Sequence, residues 1–312
     1  MVRCGAIRLG VVAFWLATAG PAAFGQQISY TVAIEDSAGT SADLYQPIIQ
    51  HVQAAGGRWN NYLRPLTNVV LEVRVTITTD VALGSGQSTT TSFVETRNGL
   101  NVFEQGAAAE VRTGIDPNQA APDIQLRFNP DYLRNTLWFD PDPTQRTAPV
   151  TATRTDAMSV FLHELAHAFA FDGWRDGISG ELPGNYQSTF DRHVSKSGDF
   201  LFFNGPEAMA QYGGQPVPLT VTEPMGVRRY AHLGNNAPRP GADLVPDLMN
   251  GVVFTNGTRY DISLLDVAIL ADSGVPVVPV PEPVLGLGVA VVGLALFALR
   301  RSRDRKGAAG LL

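Results

Sequence analysis

His163-Glu164-Leu165-Ala166-His167 places two histidines four residues apart with a glutamate beside the first, the group in this 312-residue chain best suited to chemistry by type and spacing. The surrounding run, Met158 to Trp174 (MSVFLHELAHAFAFDGW), reads as a helix. Residues four apart on a helix share one face about one turn apart, so both imidazoles can grip one metal ion while the glutamate sits beside an open coordination position. His163 and His167 are expected to bind zinc at about 2.0–2.1 Å through one ring nitrogen each. Glu164 is expected to act as general base, taking a proton from the metal-bound water and returning it to a leaving amine. Against this stands the plainer reading, in which both histidines are satisfied core residues of an apolar helix.

Three protein ligands are needed for a catalytic zinc site. Two further histidines lie downstream, His193 (FDRHVSK) and His232 (RRYAHLGNN), and either can supply the missing imidazole. Upstream, His51 falls in a helical pattern and reads as a packing or surface residue. Glu181 or Glu207 could serve only if a second long helix carried them, and neither lies in such a pattern. Tyr230 and Tyr260 could donate to an oxyanion but read as packing residues.

The elements that must position these groups follow from periodicity. Ala42 to Leu63 carries apolar residues at helical spacing, with an interruption expected near Gly56-Gly57. Val69 to Thr78 (VVLEVRVTIT) alternates and is rich in β-branched residues, so it reads as a strand, with weaker strands at Ile124 to Phe128 and Thr136 to Phe139. A sheet thus precedes the metal helix. That helix is expected to begin after Thr153, with Asp156 completing a capping-box-like pair, and to end at Asp172-Gly173 on a left-handed glycine. It is apolar nearly all round and should be buried. Beyond it the chain is rich in Gly, Pro and Asn to about residue 258, with a short helix expected at Pro206 to Tyr212. A last helix, Ile262 to Ser273, should pack under the metal site.

With 45% hydrophobic residues the chain can bury a sizeable core. Residues 1–25 read as a signal peptide: Arg3 and Arg8 ahead of an apolar stretch, then Ala23-Phe24-Gly25 as a cleavage site. The only cysteine, Cys4, lies inside it, so the mature chain has no disulfide. Near the other end an apolar run, 284–299, precedes Arg300, Arg301, Arg303, Arg305 and Lys306, and reads as a transmembrane helix with a basic stop. Residues 26–281 keep 16 basic side chains against 27 acidic, a net of −11. Such a domain has no electrostatic footprint for nucleic acid.

Val280-Pro281-Glu282-Pro283, the apolar run and the arginine cluster together resemble a PEP-CTERM sorting signal. That resemblance implies processing by an exosortase-type enzyme and release to the outside, after transient anchoring in the inner membrane. The metal motif itself departs from the metzincin continuation HExxHxxGxxH, because Ala170 and Gly173 stand at the glycine and third-ligand positions. Asp247-Leu248-Met249-Asn250, however, resembles the Met-turn of metzincins. A third histidine delayed by an insertion and followed by such a turn is the leishmanolysin-like arrangement, which implies His232 as third ligand and Met249 beneath the metal. Phe190-Asp191-Arg192, Phe202 to Pro206 and Ile262 to Asp266 are similar to exported bacterial HExxH metalloproteases with PEP-CTERM tails.

The expectation is therefore an α+β, metzincin-like zinc protease with a twisted sheet, a buried HExxH helix and a loop-rich C-terminal half. Its organisation is a signal peptide (1–25), a metalloprotease domain (26–278) and a sorting signal (279–312). It would be a secreted zinc endopeptidase acting on protein or peptide substrates, with Glu164 catalytic and His163, His167 and His232 on zinc. The rival is a non-catalytic surface or matrix protein with a structural zinc, closed by a fourth protein ligand.

Overall fold

Alternating apolar residues make the first sheet. In a computed structural model, which describes residues 26–220, 230–234, 244–251 and 254–280, β1 (Ile28–Glu35) leads through a helical turn to α1 (Tyr45–Trp59) and β2 (Val69–Ile77). Next come β3 (Gly84–Ser88), β4 (Thr91–Arg97), β5 (Leu100–Gln105), α2 (Gly106–Thr113) and β6 (Ile124–Phe128). The short pair β7 (Leu137–Trp138) and β8 (Thr155–Asp156) precedes α3 (Ala157–Phe169), the helix of the HExxH residues. Then follow β9 (Tyr186–Ser188), β10 (Val194–Ser197), β11 (Phe200–Phe203), α4 (Pro206–Gln211), β12 (Val217–Pro218) and α5 (Leu264–Asp272).

The fold is mixed α+β with open, twisted sheets. The main sheet runs β1-β2-β6-β3, the first three strands parallel and β3 antiparallel at the edge. Val69, Leu71, Val73, Val75 and Ile77 of β2 are buried, as are Ile124, Leu126 and Phe128 of β6. These side chains share a core with α1 and α3, as the two-residue period of a strand requires. Trp59 fastens the helices together by donating Nε1–H to the carbonyl of Leu162 at 3.1 Å. The expected interruption at Gly56-Gly57 is absent, since α1 runs unbroken to Trp59; Gly56 makes room for the Tyr30 ring, from which a Cβ would lie 2.4 Å.

The boundaries of α3 differ from expectation. Asp156, not Thr153, is the N-cap: its Oδ2 accepts from Ser159 N at 3.1 Å and Ser159 Oγ at 2.7 Å. The same buried carboxylate meets Arg146 Nη2 at 2.9 Å and Arg259 Nη1 at 3.5 Å, so an acidic cap and two cations fix the helix start. The helix stops at Ala170, whose φ is −167°. Gly173 is not the left-handed cap; it is small because a Cβ there would lie 2.0 Å from the Tyr230 hydroxyl. Beyond α3 the chain is more ordered than its composition implies, since β9 extends the β4-β5 pair and β10-β11-β12 form a second small sheet.

The expected transmembrane helix is corrected: among the described residues no helix is long and apolar enough to cross a membrane. The run 284–299 and the leader at 1–25 lie outside the described residues.

Candidate metal centre

Burial closes on every residue of α3 except His167, which is half-buried. From this helix the rings of His163 and His167 meet that of His232, which arrives 65 residues later. The three Nε2 atoms form a near-equilateral triangle with sides of 3.1, 3.0 and 3.1 Å. Nitrogens bound tetrahedrally to one zinc at 2.0–2.1 Å lie about 3.3–3.4 Å apart, so the observed spacing fits three donors converging on a single small cation.

Tautomers sharpen the point. His163 Nδ1 donates to the Leu248 carbonyl at 2.8 Å, and His167 Nδ1 to the Phe171 carbonyl at 2.5 Å. A carbonyl oxygen only accepts, so in the neutral rings each proton is held on Nδ1 and the Nε2 lone pairs turn toward one another. Facing lone pairs repel unless a proton or a metal sits between them. Carbonyl partners of this kind are what orient metal-ligating histidines and fix their tautomer.

His232 is positioned by backbone pairing on both sides. Thr220 N–H donates to its carbonyl at 2.9 Å, while Leu233 N–H donates to the Met249 carbonyl at 2.7 Å. Gly251 permits the approach, since a Cβ there would meet Thr220 Cγ2 at 2.5 Å and His232 Cβ at 2.8 Å. Two residues ahead, the Tyr230 hydroxyl donates to Asp191 Oδ1 at 2.5 Å and accepts from Arg175 N at 2.7 Å. The fully buried Asp191 also accepts from Trp174 N, Ser188 N and Ser188 Oγ. Tyr230 is thereby a brace for the chain entering the site, and Tyr260 likewise accepts from Thr255 N at 3.1 Å.

The turn 247–250 lies behind His163. Met249 is fully buried, and Asp247 Oδ1 accepts from its N–H at 2.9 Å. Asp247 also faces Asp266 of α5, a fully buried carboxyl held well above its usual range by burial and then by Asp247. Through this carboxyl pair α5 reaches the turn behind His163.

Glu164 lines two hollows. One, of about 280 Å³, is bounded by Ser85, Gly86, the three histidines and Asp172. The other, of about 330 Å³, is lined by Leu83, Tyr132, Val160 and Phe254 among others and is mainly apolar. The edge strand β3 forms the wall, and only glycine fits there: a Cβ on Gly86 would lie 2.1 Å from the Glu164 carbonyl oxygen. Asp172 accepts from Gln105 Nε2 at 2.9 Å, and burial pushes its carboxyl up to about 6. A larger hollow of about 600 Å³ between α1 and residues 141–144 contains no histidine.

Other candidates fall elsewhere. His51 is buried in α1, with Nδ1 donating to Pro47 O at 2.7 Å and Nε2 accepting from Asp140 N at 2.9 Å. His193 stacks near Phe203 and beside Asp272, outside the triangle. Glu207 is the second residue of the six-residue α4, and Glu181 lies in a loop. Sequence reasoning missed the carbonyls of Leu248 and Phe171, the brace from Asp191, and Tyr132, whose hydroxyl is held up by burial and by Glu164. Backbone partners leave no mark in residue type, whereas the Gly-Ser-Gly of β3 was a visible sign of close approach. No protein-family model matches this chain, and no curated protein matches it.

Proposed function

We propose that the chain is an exported zinc-dependent endopeptidase of metzincin-like architecture, with His163, His167 and His232 as ligands and Glu164 as general base. The convergence of three Nε2 atoms from rings whose Nδ1 protons go to carbonyls carries this reading. His163, His167 and His232 would hold the zinc, which when bound would supply Lewis acidity toward a carbonyl and toward water near neutral pH. Glu164 takes the proton from the attacking water and delivers it to the departing amine. A peptide can add to the edge of the sheet at β3, its backbone pairing with the strand that walls the cleft. The apolar hollow beside His163 and Glu164 suits a hydrophobic side chain next to the scissile bond.

Three ligands with an adjacent base favour catalysis over a structural site, which takes four protein ligands. Among the described residues the cluster at this centre is three histidines. The leader and the VPEP motif support the export side of the reading, with an exosortase-type enzyme as processing partner. The deciding experiment is casein hydrolysis by the purified chain. Hydrolysis abolished by a chelator and restored by zinc is expected. Chelator-insensitive cleavage, or none from zinc-loaded protein, would overturn the proposal.

A further inference from the structure

Away from the histidines, carboxylates gather where α2, the loop after it and the start of β6 meet. Glu110 of α2, Asp116 of the loop and Asp123 just ahead of β6 bring oxygens within 4.8 Å of one another. Glu72 of β2 adjoins them, its N–H donating to Asp123 Oδ2 at 2.8 Å. Glu110 is 5% exposed and Asp123 0%. One oxygen of each, Glu110 Oε2 and Asp123 Oδ1, is buried with no hydrogen-bond partner. In the same loop Asn118 Oδ1 is likewise buried without one.

Two ionised carboxylates have no proton to share, so facing each other out of water they need a proton or a cation between them. Among the described residues no arginine or lysine forms an ion pair with Glu72, Glu110, Asp116 or Asp123. The strain registers in the side chains: burial and then Asp123 push Glu110 up to about 8, and burial and Asp123 push Glu72 up to about 7. The cluster is also held in shape. Asp116 Oδ1 accepts from Asn118 N at 2.8 Å and Gln119 N at 2.7 Å, and the Asp123 carbonyl accepts from Thr89 N at 2.9 Å.

We propose that this cluster is a calcium site, with the carboxylates of Glu110, Asp116 and Asp123 as its protein ligands. Calcium takes six to eight oxygens at 2.3–2.6 Å, so two oxygens on one ion lie at most about 4.6–5.2 Å apart, and the observed grouping fits. The donors are hard oxygens without imidazole, which separates this site chemically from the histidine centre. Bound there, the ion ties α2 to the β2-β6 pair and to the connection leaving β3. It therefore braces the end of the edge strand β3, where Thr89 N–H donates to the Asp123 carbonyl.

The test is thermal unfolding and calorimetric titration of the chelator-treated full chain with CaCl2, and in parallel with MgCl2. CaCl2 in the millimolar range is expected to raise the unfolding midpoint by about 5 °C, with one calcium bound per chain. Asp123→Asn and Glu110→Gln are each expected to weaken that response at least about tenfold, while zinc content stays unchanged. No response of the wild-type chain up to about 10 mM CaCl2 overturns the proposal, as does an equal response to MgCl2. A full calcium response in Asp123→Asn also overturns it and leaves the carboxyls sharing protons instead. Should the variants fail to fold, the wild-type comparison of the two salts decides alone.

Discussion

His163 donates its Nδ1 proton to the carbonyl of Leu248, across 85 residues of sequence and 2.8 Å of space. The bond joins the buried helix of the motif to the turn that carries Met249. It sets both the plane of the ring and the nitrogen left facing His167 and His232. The centre is thus assembled from segments far apart in the sequence.

Glu164→Gln keeps the shape of the side chain and removes its ability to accept a proton. Zinc content should match that of the wild type, while peptide hydrolysis falls by about 10²–10⁴-fold, the usual contribution of a positioned general base. Metal analysis alongside a fluorogenic peptide assay checks both halves. A variant that still cleaves at the wild-type rate removes Glu164 from the mechanism.

His232→Ala should strip zinc from the chain, whereas His193→Ala should leave zinc stoichiometry near that of the wild type. His193 packs against Phe203, so its loss is expected to show in stability instead. Equilibrium dialysis against a zinc buffer measures the difference, and the reverse order would move the ligand role to His193.

Asp156→Ala should destabilise the fold by about 3 kcal/mol or more. The substitution removes the cap of α3 and leaves the buried guanidinium of Arg146, 6% exposed, without its carboxylate partner at the helix start. Urea unfolding gives the value, and Arg146 keeps the exposed Asp261 and the Tyr260 carbonyl in compensation. A loss below about 1 kcal/mol, the scale of a cap alone, would show that the ion pair adds nothing.

Asp172→Asn provides a pH signature. Burial holds the Asp172 carboxyl at about 6 in the fold, above the roughly 3.9 of an unfolded aspartate. The folded state therefore binds more protons between these values, and its stability falls as pH rises from about 4 to about 6. The amide introduced by the substitution does not ionise and can still accept from Gln105. The variant should therefore gain on the order of 2 kcal/mol over wild type at pH 7.5 relative to the difference at pH 4. Urea unfolding at the two pH values reads the gain, and equal differences at both would refute it.

Legibility in the sequence followed the physical origin of each feature. The strands β2 and β6 could be read because alternation is imposed by a one-sided core, and α5 because its apolar spacing is local. The edge strand β3 could not, since Gly84-Ser85-Gly86 has no strand propensity. It is a strand because β6 pairs with it, and it is glycine-rich because α3 presses against it. At the centre, His163, Glu164 and His167 announce themselves by spacing. The choice of His232 rested on resemblance to a Met-turn, because its placement depends on pairing with residues 219–220 and 249–251 that no local pattern encodes. The ends of α3 were misplaced because Thr153 and Gly173 are cap-like residue types, while the actual cap is Asp156 and Gly173 is small to admit Tyr230.

The separation of His167 from His232 has a consequence for the chain as a polymer. With Cys4 as its sole cysteine, the chain can form no disulfide within itself. An ion gripping His167 and His232 would close a loop of 65 residues, and a cross-link of that length lowers the entropy of the unfolded chain by the equivalent of roughly 4 kcal/mol. Such an ion would then stand in for a disulfide, and its removal would cost the chain a tether as well as empty the site.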